Sequence, residues 1–113
     1  MEKLLIIDDE TDILDLISDQ VEALGLSLIV FKAKRLSEAE MYVKECDFII
    51  SDVQMPDSDR LERFLQDSGK PVMRITGQIF DSKIYNDLIL AKPFSLDDFS
   101  KKINSLLEKK HRK

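Results

Sequence analysis

The chain has 113 residues, of which 43% are hydrophobic and 35% are charged, and its 17 basic and 22 acidic side chains give a net charge of −5. This length and composition predict one folded domain, and the acidic balance excludes a nucleic-acid-binding module. No apolar run approaches the ~20 residues of a membrane span, and no signal peptide is predicted. Cys46 is the single cysteine, which excludes an internal disulfide and indicates a reducing cytoplasm.

Short apolar runs alternate with segments of helical period along the chain. Strands are predicted over residues 4–7, 28–31, 48–51, 72–75 and 88–91. Helices are predicted over residues 11–24, ended by Gly25, and over 60–67. A short helix is predicted after a capping box at 37–40, and about two helical turns are predicted within 78–87. The last helix is predicted to begin at Ser95, with Asp98 at the reciprocal capping position. This alternation predicts an α/β fold, with a five-stranded parallel sheet, helices on both faces and the flavodoxin-like doubly wound order 2-1-3-4-5.

Several apolar side chains are assigned structural roles. Met41, Tyr42, Phe64 and Phe99 are predicted as core residues, and Cys46 as a small, half-buried apolar residue beside the third strand. The segment 78–87 has the weakest pattern. Its Phe80 and Tyr85 are candidates either for the core or for an exposed output surface, with Asp81 as a candidate helix cap.

Polar side chains follow four of the predicted strands at their carboxyl ends. They are Asp8, Asp9 and Glu10 after the first strand, Asp52 after the third, Thr76 after the fourth and Lys92 after the fifth. The carboxyl ends of parallel strands share one edge of the sheet, and open α/β sheets bind ligands there. These residues are therefore predicted neighbours in space.

The chemistry of this group points to phosphoryl transfer. Converging carboxylates must protonate, bind a cation or stay hydrated, and an all-oxygen site of this kind suits Mg²⁺. With a divalent cation beside it, Asp52 can attack phosphorus as a nucleophile, while Lys92 and the Thr76 hydroxyl can contact the transferred group. Each residue alone has a structural explanation as a turn, helix cap or strand end. The prediction of an aspartyl-phosphate site rests on their joint occurrence at the ends of different strands.

Four segments in this order resemble the receiver domain of bacterial two-component response regulators: LLIIDDE at 4–10, SDVQMP at 51–56, ITG at 75–77 and KPF at 92–94. The resemblance covers essentially the whole chain and implies a single receiver domain over residues 1–113, with a short basic C-terminal tail. It implies Asp52 as the phosphoacceptor, Thr76 as the switch hydroxyl and Lys92 as the phosphoryl contact. It also implies a Mg²⁺ site made of Asp8, Asp9, Asp52 and the backbone carbonyl of Gln54, and a cis peptide bond before Pro93.

The chain departs from the family pattern in three respects. Arg60 stands at the position of the family's glycine, and Ile89 at the position of its switch aromatic. Thr76 follows Asp52 by 24 positions and Lys92 follows Thr76 by 16, which are short intervals for the family. The third and fourth helices should therefore be short, and the fourth is expected as a single turn or missing. Phosphorylation is expected to be intact, and signal output to be altered.

The resemblance implies a phosphoacceptor that takes a phosphoryl group from a sensor histidine kinase or a histidine phosphotransfer protein. No conventional enzyme activity is expected beyond self-catalysed phosphotransfer and autodephosphorylation, whose rate Gln54 and Gly77 should tune. Because the sequence ends after the last helix, output is expected through contact with an unidentified downstream protein. The protein is expected in the cytoplasm as a monomer or weak homodimer, with no direct contact to nucleic acid or membrane.

Other functions remain as alternatives. A degenerate receiver that docks proteins without phosphorylation is favoured by Arg60 and Ile89 and opposed by the intact polar group. A phosphatase of the haloacid dehalogenase type needs a second aspartate two residues after the nucleophile, where Gln54 stands. The chain's few glycines are too dispersed for a phosphate-binding loop. The only histidine, His111, lies in the basic tail, which disfavours a histidine phosphotransfer protein.

Overall fold

The structure is a computed structural model that describes residues 1–77 and 88–111. Its strands are β1 (Glu2–Ile7), β2 (Leu28–Ala33), β3 (Phe48–Asp52), β4 (Val72–Thr76) and β5 (Leu88–Ala91). Its helices are α1 (Thr11–Ala23), α2 (Leu36–Tyr42), α3 (Ser58–Asp67) and α4 (Leu96–His111), with a short 3₁₀ turn at Val43–Glu45. Among these described residues, no helix is long and apolar enough to cross a membrane.

The five strands form one parallel sheet in the order β2-β1-β3-β4-β5, which confirms the predicted fold. Ile7 lies opposite both Ala33 of β2 and Ser51 of β3. Farther along the sheet, Thr76 of β4 lies opposite Ala91 of β5. This register brings the carboxyl ends of β1, β3, β4 and β5 to the same edge.

Helices cover both faces of the sheet, so the central strands are apolar on both sides. Alternate residues of β1 and β3 belong to two separate clusters. The α1/α4 core contains Leu4, Ile6 and Ile50 of the sheet together with Ile17 of α1 and Phe99 of α4. The α2/α3 core contains Leu5, Ile7 and Ile49 together with Ala39 of α2 and Leu61 of α3. The period-2 alternation of each strand explains this division.

The start of α2 differs from its prediction. The helix begins at Leu36, one residue before Ser37, and Arg35 is its N-cap residue, so the capping box assigned to residues 37–40 is wrong. The N-terminal contact comes instead from Glu38, whose carboxylate accepts a hydrogen bond from the Lys34 backbone N–H at 2.8 Å.

The prediction of Met41 as a core residue is also wrong, because Met41 lies on the exposed face of α2. Ala39 is the buried residue of α2, and Met41, two positions on, points to the opposite side and is 73% exposed. Phe99 is buried as predicted, and Tyr42 and Phe64 pack on the α2/α3 core while partly buried.

Cys46 is fully buried rather than half-buried. Burial, together with the nearby charge of Asp47, raises the pKa of the Cys46 thiol to about 11. The thiol therefore stays protonated and unreactive near neutral pH, in agreement with the structural role predicted for it.

Other element bounds differ slightly from their predictions. β1 begins and β2 ends two residues beyond the predicted limits, and α3 begins at Ser58 rather than at residue 60. The predictions for residues 78–87, namely a short or missing helix, a cap at Asp81 and an output role for Phe80 and Tyr85, lie outside the described residues.

The predicted capping box before the last helix is confirmed. Asp98 N–H donates to Ser95 Oγ at 3.0 Å, and Ser95 N–H donates to Asp98 Oδ2 at 3.2 Å. We expect Ser95→Ala to lower the free energy of unfolding by about 1 kcal/mol, because an N-terminal amide of α4 loses its acceptor. Urea unfolding measures the change.

Ser105→Ala is the matched control, since it makes the same substitution in the same helix. Ser105 is exposed, and its hydroxyl donates to the Lys101 carbonyl, at 3.2 Å. Alanine favours the helix interior, so this variant should be unchanged or slightly more stable. Equal losses in the two variants would contradict a capping role for Ser95.

Candidate functional site

The carboxyl edge of the sheet gathers polar side chains that the apolar strands hold away from solvent. Asp8 follows β1 directly and is fully buried, Asp52 ends β3 and is 2% exposed, and Thr76 ends β4 and is 1% exposed. Lys92 follows β5, with 19% of its side chain exposed. These residues come from four different strands, and the parallel register alone brings them to one edge.

The amine of Lys92 connects two of the buried carboxylates. Its Nζ lies 3.3 Å from Asp8 Oδ2 and 3.7 Å from Asp52 Oδ2. The backbone fixes the position of this lysine, because Lys92 N–H donates to the Thr76 carbonyl at 2.7 Å. The Lys92–Pro93 peptide bond is cis, as the resemblance implied. One cation therefore compensates two carboxylates that would otherwise repel each other.

Asp52 is held through one of its two carboxylate oxygens. Oδ1 accepts a hydrogen bond from Gln54 N–H at 3.0 Å, and Oδ2 is the oxygen that faces Lys92. The Val53 N–H donates to the Ile75 carbonyl at 3.1 Å, so the loop after β3 stays attached to β4. The carboxylate is thus oriented, with one oxygen directed at a positive charge.

Asp8 has a strongly shifted acidity. Burial raises the pKa of its carboxyl to about 6; the hydrogen bond from Glu10 N–H to Oδ1, at 2.8 Å, opposes this rise, the charge of Asp52 adds to it, and Lys92 opposes it. Burial and a neighbouring carboxylate both disfavour the charged form of Asp8, and a bound cation would favour that form.

Three consecutive acidic residues form an oxygen-rich group at this edge. Asp8, Asp9 and Glu10 each offer a carboxylate oxygen, and these atoms lie within 4.8 Å of one another. Asp9 and Glu10 are exposed, whereas Asp8 is buried. Such a donor set suits a hard divalent cation such as Mg²⁺. Sequence reasoning placed Glu10 at this edge but did not include it among the metal ligands.

The side chain of Gln54 makes a contact that the sequence did not predict. Gly77 N–H donates to Gln54 Oε1 at 2.8 Å, and a Cβ at position 77 would lie 3.1 Å from that oxygen. Gln54 therefore connects the loop after Asp52 to the residue after Thr76. The two residues are separated by 23 positions, and no local pattern could have revealed the pair.

No protein-family model matches the sequence, and no curated protein is significantly similar to it. Solved structures are similar over nearly the whole chain. The beryllofluoride-activated receiver domain dimer of NtrC4 is 31% identical, with 97% of this chain and 99% of that one covered and a TM-score of 0.79. A response regulator receiver domain from Clostridium thermocellum is 25% identical, with 98% of each chain covered and a TM-score of 0.74.

The chemotaxis protein CheY4 of Vibrio cholerae is 24% identical, with 94% of this chain and 98% of that one covered and a TM-score of 0.75, a likeness of fold alone. The fold and the arrangement at its carboxyl edge define a doubly wound α/β signalling domain. The chain belongs to the receiver domains of response regulators.

The raised pKa of Asp8 gives a stability prediction. Because the folded-state pKa, about 6, lies above the ordinary value of 3.8, the folded state binds the proton more tightly, and this contribution to stability is lost as the pH rises through 6. In buffer without divalent cations, Asp8→Asn should raise the free energy of unfolding at pH 7.5 by about 1–3 kcal/mol. The gain should shrink below pH 6 and vanish near pH 4.

Denaturant unfolding across this pH range measures the effect. The matched control is Asp19→Asn, which makes the same substitution at an exposed position on α1 and should not stabilise the protein at pH 7.5. A loss of stability in the Asp8→Asn protein at pH 7.5, or a gain that persists at pH 4, would contradict the assignment.

Proposed function

We propose that this receiver domain is a phosphoacceptor: it takes a phosphoryl group from a histidine kinase or a histidine phosphotransfer protein onto Asp52. The observation that carries the proposal is the position of Lys92, whose amine lies 3.3 Å from Asp8 and 3.7 Å from Asp52 at the carboxyl edge of the sheet. An ammonium beside Oδ2 of Asp52 is placed to hold an anion that forms there.

The transfer is a displacement at phosphorus. Asp52 Oδ2 attacks the phosphorus of the donor phosphoimidazole; the new O–P bond forms as the P–N bond breaks, and the imidazole nitrogen leaves with the electron pair and takes a proton from solvent. Gln54 N–H, which donates to Oδ1, orients the carboxylate for this attack. Lys92 contacts the transferred group as a point charge, and the Thr76 hydroxyl donates to one of its oxygens.

The donor set fits Mg²⁺. Asp8, Asp9, Asp52 and the Gln54 carbonyl would hold the ion, and Glu10 lies close enough to Asp8 and Asp9 to contribute. When bound, the cation neutralises charge on the incoming phosphoryl group. In its absence the amine of Lys92 offsets part of the charge of Asp8 and Asp52.

Phosphorylation adds about −1.5 to −2 charges at the edge, which draws Thr76 and Lys92 towards Asp52 and changes the adjoining surface. In this proposal residues 1–113 act as a single receiver domain in the cytoplasm, with a short basic tail. Output passes through contact with a downstream protein, without direct binding of nucleic acid or membrane. The NtrC4 receiver forms a dimer, which supports a weak homodimer as one state of this protein beside the monomer.

Acetyl phosphate with Mg²⁺ tests the phosphoacceptor. We expect an acid-stable, base-labile mass gain of one phosphoryl group, lost in Asp52→Asn and lost when EDTA removes the cation. Asp12→Asn, which neutralises an exposed carboxylate in the first turn of α1, is the control and should keep the gain. Intact mass spectrometry gives the result. A folded protein that gains no mass under these conditions would instead favour the docking module that works without phosphorylation.

The role of Lys92 has a separate test. Lys92→Met removes the charge that faces Asp52 Oδ2, so we expect phosphorylation by acetyl phosphate to slow by about 10-fold or more. Lys101→Met is the control, because Lys101 is exposed and pairs with Asp97, at 3.3 Å, on the surface of α4. Rates are measured by quenched mass spectrometry over time. Equal rates in the two variants would rule out a direct role for Lys92.

A further inference from the structure

Arg74 lies in the middle of β4 and is 2% exposed. Within the described part of the chain, it is the only buried basic side chain. Its guanidinium binds Glu62 of α3 in a two-pronged ion pair, with Nε 2.8 Å from Oε1 and Nη2 2.6 Å from Oε2. The mechanism described above does not use this pair.

The position of Arg74 connects the candidate site to α3. Side chains of β4 alternate between the two faces of the sheet; Met73 and Ile75 belong to the α1/α4 core, so Arg74 and Thr76 face the α2/α3 core. Arg74 also lies opposite Ser51, the residue directly before Asp52. Arg74 therefore lies two residues before the carboxyl end of β4, on the face of the sheet that α3 covers.

Helix α3 is attached to this edge at two points. At its start, the loop from Asp52 leads into the helix, and Gln54 N–H of that loop donates to Asp52 Oδ1. In its middle, Glu62 holds Arg74. Breaking a buried, two-pronged ion pair is strongly unfavourable. The pair therefore stays closed when β4 shifts, whereas an apolar contact could slide.

We propose that Arg74 is a positioning residue that makes α3 move with the carboxyl end of β4 when the charge at Asp52 changes. The inference rests on the proposed function for its natural trigger, phosphorylation of Asp52. The bidentate geometry matters, because a planar fork fixes direction as well as distance. Through this pair, the middle of α3 moves with β4, in addition to the connection that the loop after Asp52 makes at the start of the helix.

The test compares the native chain with the double variant Arg74→Met/Glu62→Met, in which two apolar side chains of similar length replace the pair. Replacing a buried ion pair in this way is often neutral or stabilising, so the variant should fold. Backbone amide shifts are followed by NMR at residues 64–67, the half of α3 beyond the loop. Two triggers are applied separately: Mg²⁺ with beryllofluoride, and the substitution Asp52→Asn.

We expect both triggers to shift these amides in the native chain. In the double variant the shifts should fall severalfold, while those at Gly77 and Ala91 beside the edge persist. Arg74→Lys, which keeps the charge but loses the fork, should give an intermediate response. Asp15→Asn/Lys32→Met removes an exposed ion pair of 3.0 Å between α1 and β2 and should leave the α3 response intact.

Shifts at residues 64–67 that are equally large in the native chain and the double variant would overturn the proposal. A native α3 that responds to neither trigger would overturn it as well. If beryllofluoride changes nothing at Gly77 in the native chain, the phosphoacceptor proposal fails. The Asp52→Asn trigger then still decides the role of Arg74, because it changes the charge at the edge without phosphate.

Discussion

The candidate site depends on the ion contacts of Lys92 with the two buried carboxylates of Asp8 and Asp52. Two carboxylates held out of water at the end of a sheet repel each other and lose hydration, and both effects disfavour the folded state. A single ammonium at 3.3 and 3.7 Å offsets part of these costs, and the pKa of Asp8 stays raised to about 6. The pair stays reactive, because a lysine amine is a mobile point charge and not a rigid fork. An arginine in its place would bind a carboxylate in two-pronged fashion and would leave it less available.

The register of the sheet explains how so distant a lysine reaches this position. Four strands end at the same edge of the sheet, at Ile7, Asp52, Thr76 and Ala91. The polar residues at these ends, or directly after them, therefore meet although they are far apart in sequence. The apolar strands make this alignment rigid, since a slip of one residue would turn buried side chains of β1 and β3 to the wrong face. The two apolar cores thus fix the strand register, and the register fixes the positions of the polar side chains at the carboxyl edge.

The sequence carried enough information to predict the strands, their order and the shared edge, because each strand is a short apolar run that stops at a charged or polar residue. Residue contacts within one element were predicted well where both partners lie close in sequence, as in the Ser95–Asp98 capping box. The prediction for α2 failed because Ser37 fits a capping pattern. In the structure, the buried Ala39 and the partly buried Leu36 pack on the α2/α3 core, and Met41 points outward. Tertiary packing overrides local preference in so short a helix.

Two polar pairs lay beyond sequence reasoning for a different reason. Gln54 with Gly77 and Glu62 with Arg74 join residues 23 and 12 positions apart, and neither pair has a spacing that any single element imposes. In the sequence, Arg74 is a charged residue that interrupts the apolar run of β4, and the contact with Glu62 is visible only once α3 is packed on the sheet. The charges at the edge and the charge in β4 then serve different ends. At the edge, Lys92 keeps 19% of its side chain exposed beside Asp8 and Asp52. Arg74 is 2% exposed and held by Glu62 in a two-pronged pair, which suits it to transmit a displacement and not to undergo chemistry.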